Sequence, residues 1–200
     1  FFFFFTSVRN PLFYYFNGIS NSRLKNSNEA ISVLEMGIEF VVDNEMLLLE
    51  FYSSLADIYH TIGNNSASDS LYEKVLSIDP ENVLVLNNYA YYLALRKVKL
   101  GKAEEMSLKC NELEKENGTY QDTYAWILYQ LSEYEKAKEW IQKSLVNGSD
   151  SSAVVVEHYG DILYQLGETE NAIIQWKRAQ ELGGASNFLI QKIEEGKLYE

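Results

Sequence analysis

One cysteine, two prolines and two histidines are all that 200 residues contain of these types. Cys110 has no partner for an internal disulfide, and a zinc site built on four cysteines is excluded. That count selects neither an oxidising nor a reducing compartment. With so little proline and only 11 glycines, collagen-like and Pro-rich linker classes are excluded, and long uninterrupted helices are allowed. Cations are also short: 17 Lys and Arg stand against 29 Asp and Glu, for a net charge of −12. The imbalance is deeper in residues 101–200, with ten cations against eighteen acids, than in residues 1–100, with seven against eleven. Such a chain repels a phosphate backbone, so a nucleic acid is not the expected partner. Long hydrophobic runs are missing too. Val83 to Leu95 is interrupted by Asn87 and Asn88 and ends at Arg96, and the run Phe1 to Phe5 is far too short to span a bilayer. That run has no initiating Met, no basic residues before it and no small-residue cleavage pattern after it. It reads as an irregular segment, residues 1–10, left from or belonging to a longer parent chain. The expected product is soluble, in the cytoplasm or in a periplasmic or envelope setting.

The chemistry of an enzyme is equally thin. There is no G-x-S-x-G, no H-E-x-x-H and no phosphate-cradling Gly-rich loop. His60 and His158 each sit beside a tyrosine, Tyr59 and Tyr159. A metal site or a triad needs several convergent partners, so no catalytic residue, cofactor or metal is expected. Asp161, three residues after His158, is expected to share its helix face through an i,i+3 hydrogen bond.

What the chain has is apolar material, 46% hydrophobic and 14% aromatic, and a period. Ala56, Ala90, Ala125 and Gly160 follow one another at steps of 34, 35 and 35. A second small residue follows each by twelve or thirteen positions, at Ser68, Ala103, Ala137 and Ala172. Two helices that cross closely need a short side chain on each at the contact, with bulky neighbours filling the flanking holes. Each unit is therefore predicted to be an antiparallel helix pair. Gly63 and Gly167 mark the turns, where glycine accepts the left-handed conformation that ends a helix. Ser132 with Glu135, Thr119 with Asp122, and Pro80 after Asp79 read as helix starts. A weaker first unit carries Gly18, Ala30 and Gly37, with four extra residues in the connection near Val42 to Met46. Cys110, seven after Ala103, should be a buried space-filler. Tyr89, Tyr124 and Tyr159 recur just before the small residue and should pack between helices.

This pattern resembles the tetratricopeptide repeat (TPR) family, best at Leu55, Ala56, Tyr59, Gly63, Tyr72 and Pro80 and again at Gly160, Gly167, Ala172, Trp176 and Ala179. Phrases such as LNNYAYYLA, DTYAWILY and EHYGDILY look like bacterial TPR proteins, several of them envelope-associated. The resemblance implies an all-α fold: an α-solenoid of about five helix-turn-helix repeats in a right-handed superhelix, closed by a C-terminal capping helix. The array is expected over residues 11–186, with repeats at 11–47, 48–81, 82–116, 117–151 and 152–186, and the cap over 187–200. Phe188, Leu189, Ile190 and Ile193 are expected on the inner side of the cap, with Lys192, Glu194, Glu195 and Lys197 outside.

In such a stack the first helix of each pair lines a concave groove. The candidate groove residues are Ser53, Asp57, Asn87, Tyr91, Asp122, Trp126, Glu157, Asp161 and Gln165, an acidic and aromatic set. They imply a protein or peptide partner, basic or amide-rich, bound by a non-enzymatic scaffold that helps assemble a complex. The alternative is a C-terminal structural spacer or self-association array of a larger protein. TPR domains that capture chaperone tails hold a terminal carboxylate with groove cations, and Ser53, Asp57, Asn87, Asp122 and Trp126 at the matching places supply none. Oligomeric state is open.

Overall fold

The computed structural model describes residues 9–184 and 186–199; the run Phe1 to Phe5 lies outside them. Eleven α-helices run through the described residues: α1 Pro11–Arg23, α2 Ser27–Ile38, α3 Glu45–Thr61, α4 Asn65–Ile78, α5 Val83–Leu95, α6 Leu100–Leu113, α7 Gly118–Gln130, α8 Tyr134–Ser144, α9 Ala153–Gln165, α10 Thr169–Glu181 and α11 Leu189–Glu195. Among the described residues none is long and apolar enough to cross a membrane. The chain divides into two compact units, one ending at Val85 and one beginning at Leu86.

In the first unit, helices pack pairwise as α1 on α2 and α3 on α4. Its core holds Ala30, Leu34, Phe51, Leu55 and Ile58. The small residues sit where helices touch. A Cβ added at Gly37 would meet the Phe51 ring and Tyr14, and one at Gly18 would meet Leu34. The longer connection, between α2 and α3, spans the six residues from Glu39 to Asn44. Asn44 caps α3 by accepting from the Leu47 N–H at 3.0 Å.

In the second unit the pairs are α7 on α8 and α9 on α10, with α11 resting on α10. Ala125, Ala137 and Ala172 are fully buried, and so are the residues four and seven beyond each second small position: Ser107 and Cys110, Ile141 and Ser144, Trp176 and Ala179. The Cys110 thiol is pushed up to about 12 by burial, which makes it the inert filler its position requires. Tyr89 and Tyr124 are buried and Tyr159 packs against the Val156–Trp176 cluster.

One turn recurs at five places between successive helices. Lys25, Gly63, Lys97, Ser132 and Gly167 all have left-handed φ, between 55° and 79°. Each is followed by a residue whose N–H returns to a carbonyl five back, as Asn64 to Tyr59, Val98 to Leu93, Glu133 to Leu128 and Glu168 to Leu163. These are Schellman closures, and only two of the five carry glycine. Ser132 therefore ends α7 instead of starting α8, whose cap is Glu133. Two other expected starts also move. Asn117 caps α7, accepting from Thr119 and Tyr120 N–H, and Asn82 accepts from the Val85 N–H at 3.2 Å, leaving Pro80 in the turn ahead of α5. In each case an Asn side chain reaches the free N–H groups of the first turn better than the residue first expected there.

Candidate functional site

The second unit contains a recess of about 610 Å³. Tyr91 from α5, Trp126 and Gln130 from α7, and Glu157, His158 and Asp161 from α9 form its helical walls. Ser186, Phe188, Lys192 and Tyr199, from the end of the chain, close one side. Of the candidate groove residues, Tyr91, Trp126, Glu157 and Asp161 are thus brought together. Asn87 and Asp122 are buried on α5 and α7 without lining it, and Gln165 is exposed, donating to the Tyr129 hydroxyl at 3.4 Å. Ser53 and Asp57 belong to the first unit and are engaged there. The Ser53 hydroxyl donates to the Leu49 carbonyl at 2.8 Å, and Asp57 accepts from the Tyr72 hydroxyl.

The polar centre of the recess is a buried ionic cluster. Glu157 and Asp161 lie four apart on α9, so both carboxylates share one helix face. Lys192 sits between them. Its Nζ donates at 2.8 Å to Glu157 Oε1 and at 2.8 Å to each oxygen of Asp161. All three residues are 3% exposed. Asp161 also accepts from the Trp176 indole N–H at 2.8 Å, and Glu157 accepts from the Ser186 N–H at 2.9 Å and from the Ser186 hydroxyl.

Lys192 was expected outside the cap, and it is inside. Conversely Phe188 and Ile190, expected on the inner side, are 44% and 59% exposed. The helix is also short, seven residues, and Leu189 is its buried apolar anchor. The cause is electrostatic: two carboxylates buried on one face require a cation, and turning the helix to supply one moves its neighbours outward.

The expected His158 to Asp161 bond is replaced as well. His158 Nδ1 pairs with Asp122 Oδ1 at 3.0 Å, across from α9 to α7. Asp161 is already taken up by Lys192 and Trp176. The imidazole stacks on Trp126, with centroids 4.0 Å apart and planes at 15°, and Trp126 stacks in turn with Tyr129 at 4.7 Å. The Trp126 indole N–H is buried and has no hydrogen-bond partner among the described residues, and the same holds for Asn87 Oδ1.

Protonation follows from this packing. Burial pushes Asp161 up to about 6, against the opposing pull of Lys192. For Glu157, burial also works upward, but the bonds from Lys192 and Ser186 outweigh it and hold the carboxyl below its ordinary value. For His158, burial works against the charged form, yet the adjacent Asp122, with Asp161 and Glu157 behind it, raises its pKa. Tyr91 is pushed up to about 12 by burial and by the Asp122 charge. The set suits recognition: fixed charges, stacked rings and an unused donor. Among the described residues no group of three His, Cys, Asp or Glu side chains is arranged to hold a metal ion.

Comparison with known proteins agrees with the helix pairs and their period. The tetratricopeptide repeat family model matches residues 10–182, and the chain belongs to that family. A TPR repeat-containing protein of Pseudomonas aeruginosa is 29% identical over 87 residues, 44% of this chain but only 14% of that protein's length. Among solved structures, PilF of Pseudomonas aeruginosa is similar over 96% of this chain and 88% of its own, at 21% identity and a TM-score of 0.74. A thermophilic TPR protein of Thermus thermophilus matches over 94% of this chain and 98% of its own, at 14% identity and a TM-score of 0.71. The MamA AMB-1 structure covers 86% of this chain and 98% of its own, at 21% identity and a TM-score of 0.66. The fold is that of an all-α helical repeat array, a type built for protein interaction.

Proposed function

We propose that the chain is a non-enzymatic interaction scaffold that receives a segment of a partner protein in the recess of its second unit. The observation that carries this reading is the recess itself, where Tyr91 and Trp126 from successive repeats stand beside buried carboxylates in a space of about 610 Å³. Aromatic side chains with a polar edge supply contact area at low entropic cost. Trp126 lines the recess and its buried N–H has no partner among the described residues, which complements the carbonyl of a peptide or side-chain amide. An amide-rich segment suits the resting recess. A basic one must compete with Lys192 for Glu157 and Asp161.

The test is affinity capture from lysate and envelope fractions with the wild-type chain beside Tyr91→Ala/Trp126→Ala, bound proteins being identified by mass spectrometry. A partner lost with the double variant, while its circular dichroism stays helical, supports recognition in the recess. A partner held equally by both moves binding elsewhere on the chain and refutes the reading.

A further inference from the structure

We propose that Glu157 and Asp161 form a lysine-recognition site, filled at rest by Lys192 of the chain's own last helix and offered to a lysine of a partner segment when that helix lifts. The inference rests on the reading that the recess receives a partner, and it names the chemistry of one contact.

The seat is specific for an ammonium group. Lysine carries three donors on one compact charge, and Lys192 places them on three carboxylate oxygens, each at 2.8 Å. A planar guanidinium spreads its donors over a wider fork, suited to two parallel bonds with one carboxylate rather than to oxygens of two carboxylates meeting at a single nitrogen. An uncharged side chain would leave two buried carboxylates facing each other one helical turn apart, which is strongly unfavourable. The seat therefore demands a cation, and its geometry selects lysine.

The resident ligand is held by a narrow strip. α11 has seven residues, a length at which an isolated helix is marginal in water, so its order comes from docking. The docked strip of the helix is Leu189, Lys192 and Ile193, an i, i+3, i+4 pattern: Leu189 enters the cluster of Val156, Leu163 and Trp176, and Ile193 packs against it, as does Leu198 just beyond the helix. Phe188 and Ile190 on the same segment remain exposed. Any amphipathic segment reading Leu-x-x-Lys-Ile presents the same strip, so a partner bearing it competes for one seat by mass action.

The test uses fluorescein-labelled peptides of residues 186–199, with Lys, Arg or Met at the position of Lys192, read by anisotropy against the full-length chain and its Lys192→Met variant. The variant is expected to bind the Lys peptide at least ten-fold more tightly than the Met peptide and more tightly than the Arg peptide. The wild-type chain should bind the Lys peptide more weakly than the variant, because its tethered helix competes. Equal binding of Lys and Met peptides, or none by a variant that melts cooperatively, overturns the proposal. Should Lys192→Met fail to fold, hydrogen exchange on the wild-type chain decides: millimolar Lys peptide should speed exchange over Leu189–Glu195 and leave α9 protected, and unchanged exchange overturns the proposal. The recess reading fails separately, since it stands on Tyr91 and Trp126. Adding their double alanine substitution to the Lys192→Met chain should retain the preference for the Lys peptide, and its loss would refute the assignment to Glu157 and Asp161.

Discussion

Gly160→Ala adds one methyl group at the crossing of α9 and α10. An added Cβ there would stand 2.5 Å from Trp176 Nε1 and 3.2 Å from the Ala172 carbonyl oxygen. Trp176 is fully buried and its N–H is bonded to Asp161 at 2.8 Å, so the ring cannot retreat without breaking that bond. Overpacking costs roughly 1–3 kcal/mol, and loss of a hydrogen bond to a charged acceptor about 1.5–3 kcal/mol. Replacing helical glycine by alanine returns about 1 kcal/mol. The net expectation is a loss of about 2–4 kcal/mol, or roughly 5–15 °C in melting temperature for a chain of this size. Gly101→Ala is the control: it is also helical, and a Cβ there meets nothing within 4 Å, so it should be neutral or stabilising by up to about 1 kcal/mol. Both are measured by thermal and guanidinium melts followed by circular dichroism. Trp176→Phe, which removes the Nε1 donor, should make the Gly160→Ala cost smaller in a double-mutant cycle. A Gly160→Ala chain as stable as the Gly101→Ala chain would refute the assigned helix contact.

Two further outcomes follow from the turns and the ionic cluster. Ser132 has a φ of 63° without being glycine, so Ser132→Gly should relieve left-handed strain and raise stability by up to about 1 kcal/mol in a guanidinium melt; a loss of stability would contradict the turn assignment. The pH dependence has a defined sign. The raised pKa of His158 means that its contribution is complete below 6.5 and is lost as pH rises through the folded value. Asp161, raised from 3.8 to about 6, likewise loses stability as pH rises across that interval. Glu157, lowered from 4.5, contributes above that value and is lost as pH falls through its depressed one. Melting temperature should therefore decline from about pH 4 to pH 6 through Asp161 and again above pH 6.5 through His158, and His158→Gln should flatten the upper decline. A rising melting temperature over the upper range would contradict the His158–Asp122 pair.

The helix pairs were legible because close packing writes itself into residue size. Ala56, Ala125 and Gly160, with Ala137 and Ala172, had to be small, and the structure buries each of them at a helix contact. The turns were half legible. Gly63 and Gly167 announced the left-handed position, whereas Lys25, Lys97 and Ser132 adopt it through backbone bonds that no side chain reports. The site was legible as a set of first-helix positions but not as a network. Lys192 looked like a solvated charge because its partners stand 31 and 35 positions earlier. His158 looked tied to Asp161 by helical adjacency, while the stack brings Asp122 to it from 36 residues away. Long-range charge pairing depends on which faces meet, and a single sequence carries little record of that.

The central claim, recognition in the recess of the second unit, is tested most directly at Trp126. The chain has three tryptophans and hence three indole N–H resonances. That of Trp126 is buried without a partner, that of Trp176 is bonded to Asp161, and Trp140 lies on α8, outside the residues lining the recess. Titrating the captured partner into ¹⁵N-labelled chain should move the Trp126 indole resonance downfield as it gains an acceptor, with Trp140 unmoved. A saturating partner that leaves Trp126 in place would contradict the account.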